Sequence, residues 1–261
     1  MSRPFTLIAH RGFSSRAPEN TIAAFDLAID AGFDNIELDA HLSADGVPVV
    51  IHDDALDRTT DGSGQVSSLT LPELRELDAG AWFGDDRAYA GAAVPTLDDV
   101  LKRYAGRAHI HLELKSQDPD LPGVVIALLR KRGWLDLPRS DGGGGPFDAP
   151  GLTITSFQYE QLKRSIALTG SDARHGWLVQ EISGDVLQAA VDAGITAIYP
   201  RASNATTEST QMADQAGMSV RGWSVGDESE LLQIYRAGAA GTTVNWPDRA
   251  LAILTGLYGD S

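Results

Sequence analysis

His10-Arg11 closes the first apolar run of the chain, and His52 closes a later one; Glu37 and Asp39 flank a leucine, as do Glu113 and Lys115. Three carboxylates in a chain without cysteine suit a hard divalent cation, Ca²⁺ or Mg²⁺, because such ions take oxygen ligands. Arg11 suits a phosphate, since its planar fork makes paired hydrogen bonds. Two histidines on opposite sides of a phosphorus centre could act as general base and general acid. Whether these groups meet depends on the elements that carry them.

Residues 5–9 form a continuous apolar run bounded by Gly12, too short for a helix, and predict a strand covered on both faces. Asn20-Thr21 opens a helical stretch with an apolar stripe of Ile22, Ala23, Phe25, Ala28 and Ile29, and Gly32 is its stop. The second predicted strand covers 35–39. Glu37 and Asp39 share parity and project to one side, a costly arrangement unless something cationic lies between them.

Asp45-Gly46 is a strong hairpin signal. Folding back there places His52 roughly opposite Asp39, and the gap is too short for a parallel crossover. Residues 49–52 are therefore expected to be the return arm of an excursion, not a barrel strand. The excursion runs to about Pro95 through a short helix at 72–77 and the pair Trp82-Phe83, and is expected to form a small lid on the catalytic face.

From the N-cap Thr96 the pattern alternates. Strands are predicted at 108–115, 152–156, 176–179, 195–199, 219–225 and 242–245. Helices are predicted at 97–104, 121–133, 159–168, 184–193, 207–217, 228–237 and 248–258. With the excursion arm left aside, eight strands alternate with eight helices. This order predicts an α/β fold, a (β/α)8 TIM barrel with a small insertion after strand 2, as one domain over 1–261 with 40–95 as the hairpin and lid. A doubly wound open sheet is the alternative. The loop at 138–150, with Gly142-Gly143-Gly144-Gly145, joins a helix to a strand and is expected on the face opposite the site.

In such a barrel the carboxyl ends of the first three strands gather His10 and Arg11, Glu37 and Asp39, and Glu113 and Lys115, while the excursion returns His52 beside Asp39. His109 and His111 point into the barrel lower down and are expected to be structural, as is His41 on the hairpin. Trp223 is either core or an apolar platform for a substrate's carbon skeleton. His175 carries no signal.

The net charge of −15 argues against nucleic acid as a partner. No apolar run approaches the roughly 20 residues of a membrane span. The chain passes within a few residues of Met1 into the first strand without a secretory core, which predicts a cytoplasmic protein with no stable membrane association.

His10-Arg11-Gly12, Pro18-Glu19-Asn20-Thr21, Glu37-Leu38-Asp39, the run from Asp45 to Asp53 and Glu113-Leu114-Lys115 resemble the glycerophosphodiester phosphodiesterases. The run from Leu56 to Gly64 and Gly222-Trp223-Ser224-Val225 are similar to the same family, and the short form is similar to its cytoplasmic bacterial members. The resemblance implies a TIM barrel that hydrolyses glycerol-3-phospho-alcohols, such as glycerophosphocholine or glycerophosphoethanolamine, to sn-glycerol 3-phosphate and an alcohol. It implies Glu37, Asp39 and Glu113 as ligands of one divalent ion, Ca²⁺ or Mg²⁺. His10 and His52 become the acid/base pair, and Arg11 and Lys115 stabilise phosphate charge. Glu19 and Asn20 would shape the rim. Two positions depart from the pattern: Ser224 follows the tryptophan where threonine is usual, and Asn245 stands where an aspartate is commoner. A related phospholipase D-type phosphodiesterase acting on lysophospholipids would want an apolar or basic lid facing a membrane, which this acidic chain lacks. A non-catalytic binder of organic phosphates would not need both histidines and all three carboxylates.

Overall fold

The computed structural model describes residues 5–137 and 145–259. In chain order its elements are β1 (Thr6–Ala9), α1 (Ile22–Asp30), β2 (Asn35–Leu42), β3 (Pro48–Val50), α2 (Leu71–Arg75), α3 (Leu97–Arg103), β4 (His109–Leu114), α4 (Leu121–Lys131), β5 (Gly151–Ser156), α5 (Tyr159–Thr169), β6 (Arg174–Val179), α6 (Gly184–Ala193), β7 (Ala197–Pro200), α7 (Thr207–Gln215), β8 (Ser219–Gly222), α8 (Glu228–Arg236), β9 (Gly241–Val244) and α9 (Pro247–Gly259). All strands except β3 run parallel, each beside the next. β1 pairs with β9 (Leu7 beside Thr242) and with β2 (Ala9 beside Ile36), so the sheet closes into an eight-stranded barrel ringed by helices. The open-sheet alternative is thereby set aside.

Alternation along the strands decides what faces inward. On β2 and β4 the even-numbered Ile36, Leu38, Ala40, Ile110, Leu112 and Leu114 are buried in one apolar cluster with Phe25, Val100, Leu101, Val125 and Leu129 of α1, α3 and α4. Each large side chain so buried contributes roughly 1.5–3 kcal/mol. A one-residue slip would turn the whole row inward, and that cost fixes the parity. The odd-numbered Glu37, Asp39, His111 and Glu113 are held toward the barrel axis as a result.

The helices begin where short hydroxyl side chains can cap them. Thr21 accepts from the amide of Ala24, and Thr96 closes a capping box with Asp99, as its predicted N-cap role requires. The strand predicted at 219–225 stops at Gly222, because Ser224 takes a left-handed φ of 60° that no strand can continue. Strand 195–199 shifts to Ala197–Pro200, and the helix expected at 72–77 is Leu71–Arg75.

The excursion after β2 follows the hairpin expectation. β3 lies antiparallel to β2, with Ala40 beside Val50 and Leu42 beside Pro48. The amide of Ile51 donates to the carbonyl of Asp39 at 3.1 Å, and His52 comes next. Val49, Ile51, Leu56, Val66, Leu74, Ala79 and Val94 give the segment a small apolar core of its own. Of the loop at 138–150, residues 138–144 lie outside those described. Phe147 packs on His109 and His111 near the amino ends of the strands, away from the opposite rim. Among the described residues, no helix is long and apolar enough to cross a membrane.

Candidate active site

The backbone turns sharply where β1 ends. Arg11 has a φ of 56° and Gly12 one of 82°. A Cβ on Gly12 would lie 2.6 Å from the backbone of Ala24, so only glycine fits beside α1. Arg11 is a bulky residue in a sparsely populated conformation, of the kind that persists where surroundings over-determine it. The turn aims its amide at Glu37 Oε2, 3.1 Å away.

Glu37 and Asp39 come from β2, and Glu113, the register neighbour of Asp39, comes from β4. One oxygen from each lies within 4.8 Å of the others, and all three residues are buried. Burial, with Asp39 and Glu113 close by, pushes the Glu37 carboxyl up to about 8; burial and Asp39 push Glu113 up to about 7. Asp39 is held below the usual carboxylate range, for although burial opposes its charge, Arg11, Lys115 and His52 more than offset that. Asn20, itself at a left-handed φ of 58°, donates from its side-chain amide to Asp39 Oδ2 at 2.8 Å. Asp39 Oδ1 has no hydrogen-bond partner, and the Lys115 ammonium stands off at 3.6 Å. Three crowded oxygen donors, one of them orphaned and two reluctant to ionise alone, fit a hard divalent ion.

Cations surround this cage. Arg11 Nε lies 3.3 Å from Asp39 Oδ2, and Lys115 donates to Glu113 Oε1 at 2.9 Å. Arg221 of β8 is fully buried, with its guanidinium carbon 4.3 Å from the ring centre of Tyr199 and its Nε without a partner. These three cations face the three carboxylates, with Arg11 also engaging Glu19 at 2.7 Å, and a bound ion would add positive charge that favours an anionic ligand.

The two histidines are oriented from behind by different groups. His10 Nδ1 donates to Asn245 Oδ1 at 2.6 Å, which leaves Nε2 as the bare nitrogen on the site side. Desolvation, and then Arg11, lower its pKa to about 4, so it is a neutral imidazole. His52 Nδ1 instead meets a carboxylate, Asp53 Oδ1, at 2.5 Å. The His52 pKa is also lowered: burial, with Arg11 and Lys115, outweighs Asp39 and Asp53, which act to raise it. Both histidines, with Arg11, Glu37, Glu113, Lys115 and Arg221, line one open cavity of about 200 Å³. Its far wall is aromatic: Phe157 and Trp223 meet edge to face at 4.9 Å, and Trp223 Nε1 is anchored on the carbonyl of Val179.

The structure thus brings His10, His52, Arg11, Lys115, Trp223, Glu37, Asp39 and Glu113 to one rim. The remaining histidines are structural. His41 Nε2 donates to the carbonyl of His52 and braces the return arm, His109 and His111 stack inside the barrel, and His175 bonds Ser165. Sequence reasoning did not assign Asn245, Asp53 or Arg221. Asn245 and Asp53 sit in quoted motifs, but nothing local says which histidine each would meet.

The sequence profile of the glycerophosphoryl diester phosphodiesterase family matches residues 10–249. The chain belongs to that family. As a glycerophosphoryl diester phosphodiesterase it is a hydrolase of phosphoric diesters. It is 32% identical to the glycerophosphodiester phosphodiesterase of Bacillus subtilis over 92% of this chain and 83% of that one. With the enzyme of Caldanaerobacter subterraneus subsp. tengcongensis it shares 30% over 95% of this chain and 97% of the other. Its fold superposes on a phosphodiesterase of Oleispira antarctica, solved in complex with the product sn-glycerol-3-phosphate, with a TM-score of 0.84, 28% identity and 97% of each chain covered. Every motif that carried the sequence resemblance lies on the barrel's catalytic rim or on the excursion beside it.

Proposed function

We propose that this enzyme hydrolyses small glycerophosphodiesters, glycerophosphocholine and glycerophosphoethanolamine among them, to sn-glycerol 3-phosphate and the free alcohol. One divalent ion, Ca²⁺ or Mg²⁺, is held by Glu37, Asp39 and Glu113. When bound, it supplies Lewis-acid neutralisation of phosphoryl charge. Arg11 and Lys115 add hydrogen bonds to the same oxygens as negative charge builds on them. The phosphodiester lies in the cavity with its carbon skeleton against Trp223 and Phe157.

The unequal partners of the two histidines support a division of labour. His10, oriented by an amide and held neutral by desolvation and Arg11, takes the proton from the nucleophile through Nε2. That nucleophile is water, or the glycerol hydroxyl beside the ester, which gives a cyclic phosphate that water then opens to sn-glycerol 3-phosphate. His52, backed by a carboxylate that favours its charged form, donates a proton from Nε2 to the leaving alkoxide. The chain acts as one barrel domain, with residues 40–95 forming a lid that delivers His52. The observation that carries the reading is this pair of imidazoles on one cavity with the buried carboxylate trio.

The test is release of sn-glycerol 3-phosphate from a panel of glycerophosphodiesters and lysophosphatidylcholine, with added Mg²⁺ or Ca²⁺ and with chelator. The reading expects ion-dependent turnover of the small diesters and little of the lysolipid. Full activity in chelator removes the metal role, and faster turnover of the lysolipid overturns the substrate class.

A further inference from the structure

The loop from Leu56 to Gly64 carries Arg58, which lies outside the cavity lining yet ties together two carboxylates that each hold a residue lining it. Its Nε donates to Asp53 Oδ2 at 2.6 Å and its Nη2 to Asp53 Oδ1 at 3.2 Å. On the other edge, Nη1 and Nη2 donate to the two oxygens of Glu19, each at 2.8 Å. Each carboxylate has a second engagement facing the site. Asp53 Oδ1 holds His52 Nδ1, and Glu19 Oε1 accepts from Arg11 Nη1 at 2.7 Å.

We propose that Arg58 is a positioning residue that sets the imidazole of His52 and the guanidinium of Arg11 together, through the two carboxylates it bridges. This rests on the reading of His52 and Arg11 given above. A guanidinium is planar and its donors are fixed in direction. With both edges occupied by bidentate carboxylates, Asp53 and Glu19 share one rigid frame, and neither can rotate without straining the other. His52 is delivered by the excursion and Arg11 by the turn after β1, so Arg58 is where the two segments are brought into register. A displacement of about 1 Å at a reacting group can cost on the order of 10²-fold in rate.

Arg58 is well placed to do this without being needed for folding. Its side chain is 44% exposed, so solvent screens its ion pairs and keeps their net worth to stability modest, although both are bidentate and linked. The loop beneath it is held by its own backbone: the amide of Leu56 donates to Gly64, that of Val66 to Asp54, and the Thr60 hydroxyl to the Leu56 carbonyl. Leu56 is fully buried in the excursion's core. Removing the guanidinium leaves this platform standing.

The experiment compares Arg58→Gln, Arg58→Lys, Asp53→Asn with Glu19→Gln, and the triple variant, reading kcat, KM, thermal midpoint and the ring ¹⁵N–¹H signals of His52. The expected result for Arg58→Gln is a kcat loss of about 10- to 100-fold with a nearly unchanged midpoint, together with a shifted or lost His52 Nδ1–H signal. Arg58→Lys restores little, having charge but no fork. In the Asp53→Asn/Glu19→Gln background, Arg58→Gln adds almost nothing. Normal kcat in Arg58→Gln, or an undiminished further loss in that background, overturns the proposal, as does a rise in KM alone. A His52→Ala control separates the two readings: if it too is fully active, the catalytic assignment has failed, and if only Arg58→Gln is active, the positioning role has failed.

Discussion

The ring of His10 rests on Asn245, its Nδ1 donating to the amide oxygen at 2.6 Å across 235 residues of sequence. An amide fixes the tautomer and orients the imidazole, and as a neutral acceptor it favours the charged form less than a carboxylate would. Desolvation, and then Arg11, outweigh it and keep His10 ready to accept a proton, its pKa lowered to about 4.

Replacing Asn245 by aspartate puts a carboxylate on the same nitrogen. Such a partner favours the imidazolium and raises the His10 pKa. A base must be unprotonated to work, so the acid limb of the kcat/KM–pH profile moves to higher pH by about one unit or more. An unmoved limb removes His10 from the base role.

His10→Ala and His52→Ala each lose on the order of 10²- to 10⁴-fold in kcat with the fold retained. Asp53→Asn loses less, since it leaves the imidazole in place and removes only its carboxylate. Steady-state kinetics alongside circular dichroism check this order, and near-normal turnover in either alanine variant refutes its role.

Metal binding must displace protons. Without an ion, the Glu37 and Glu113 carboxyls sit at about 8 and about 7, so near pH 7 the cage holds protons that an ion has to expel. Calorimetric titration with Mg²⁺ or Ca²⁺ in buffers of different ionisation heat shows proton release near pH 7 that fades above about pH 9, and affinity rises with pH over that range. Glu113→Gln weakens binding. Removing the ion with a chelator abolishes activity, and restoring it recovers activity.

Asp98 of α3 is gripped by Arg132, just past α4, at 2.5 and 2.9 Å. Those hydrogen bonds lower its pKa to about 2. A folded-state pKa below the unfolded one adds stability that is complete above about pH 4 and lost as pH falls toward 2. The pair is partly exposed, so its worth is roughly 1 kcal/mol or less after screening. Asp98→Asn should lower stability to denaturant by that amount at pH 7, and the difference from the parent should vanish near pH 2.

The cage was legible because period-two alternation and strand direction are local: Glu37, Asp39, Glu113 and Lys115 could be placed from neighbouring residues alone. The hairpin was legible too, since Asp45-Gly46 sets both the turn and the direction of return, and the pairing put Ile51 beside Asp39 with His52 next. What stayed hidden were partners chosen by closure of the barrel. Asn245 meets His10 only because β9 lies against β1, and Arg221 is an ordinary arginine until the strands enclose it. The early end of β8 was equally hidden, for nothing in Trp223-Ser224-Val225 announces a left-handed serine.

The path of β2 has one more consequence. The strand passes Glu37 and Asp39 through the barrel and continues into the hairpin whose other arm ends at His52, so cage and imidazole are two marks on a single covalent ruler. Added chain in either arm would flip the side chains beyond it and walk His52 away from the cavity while Glu37, Asp39 and Glu113 stayed in place. At the tip the contacts at stake are those of Asp45 with Ser43 and Leu71, of the Ala44 amide with the Leu69 carbonyl, and the turn's own bonds between Ser43, Gly46 and Val47. Length changes that spare catalysis should therefore be confined to the tip, and a grafted peptide would enter there.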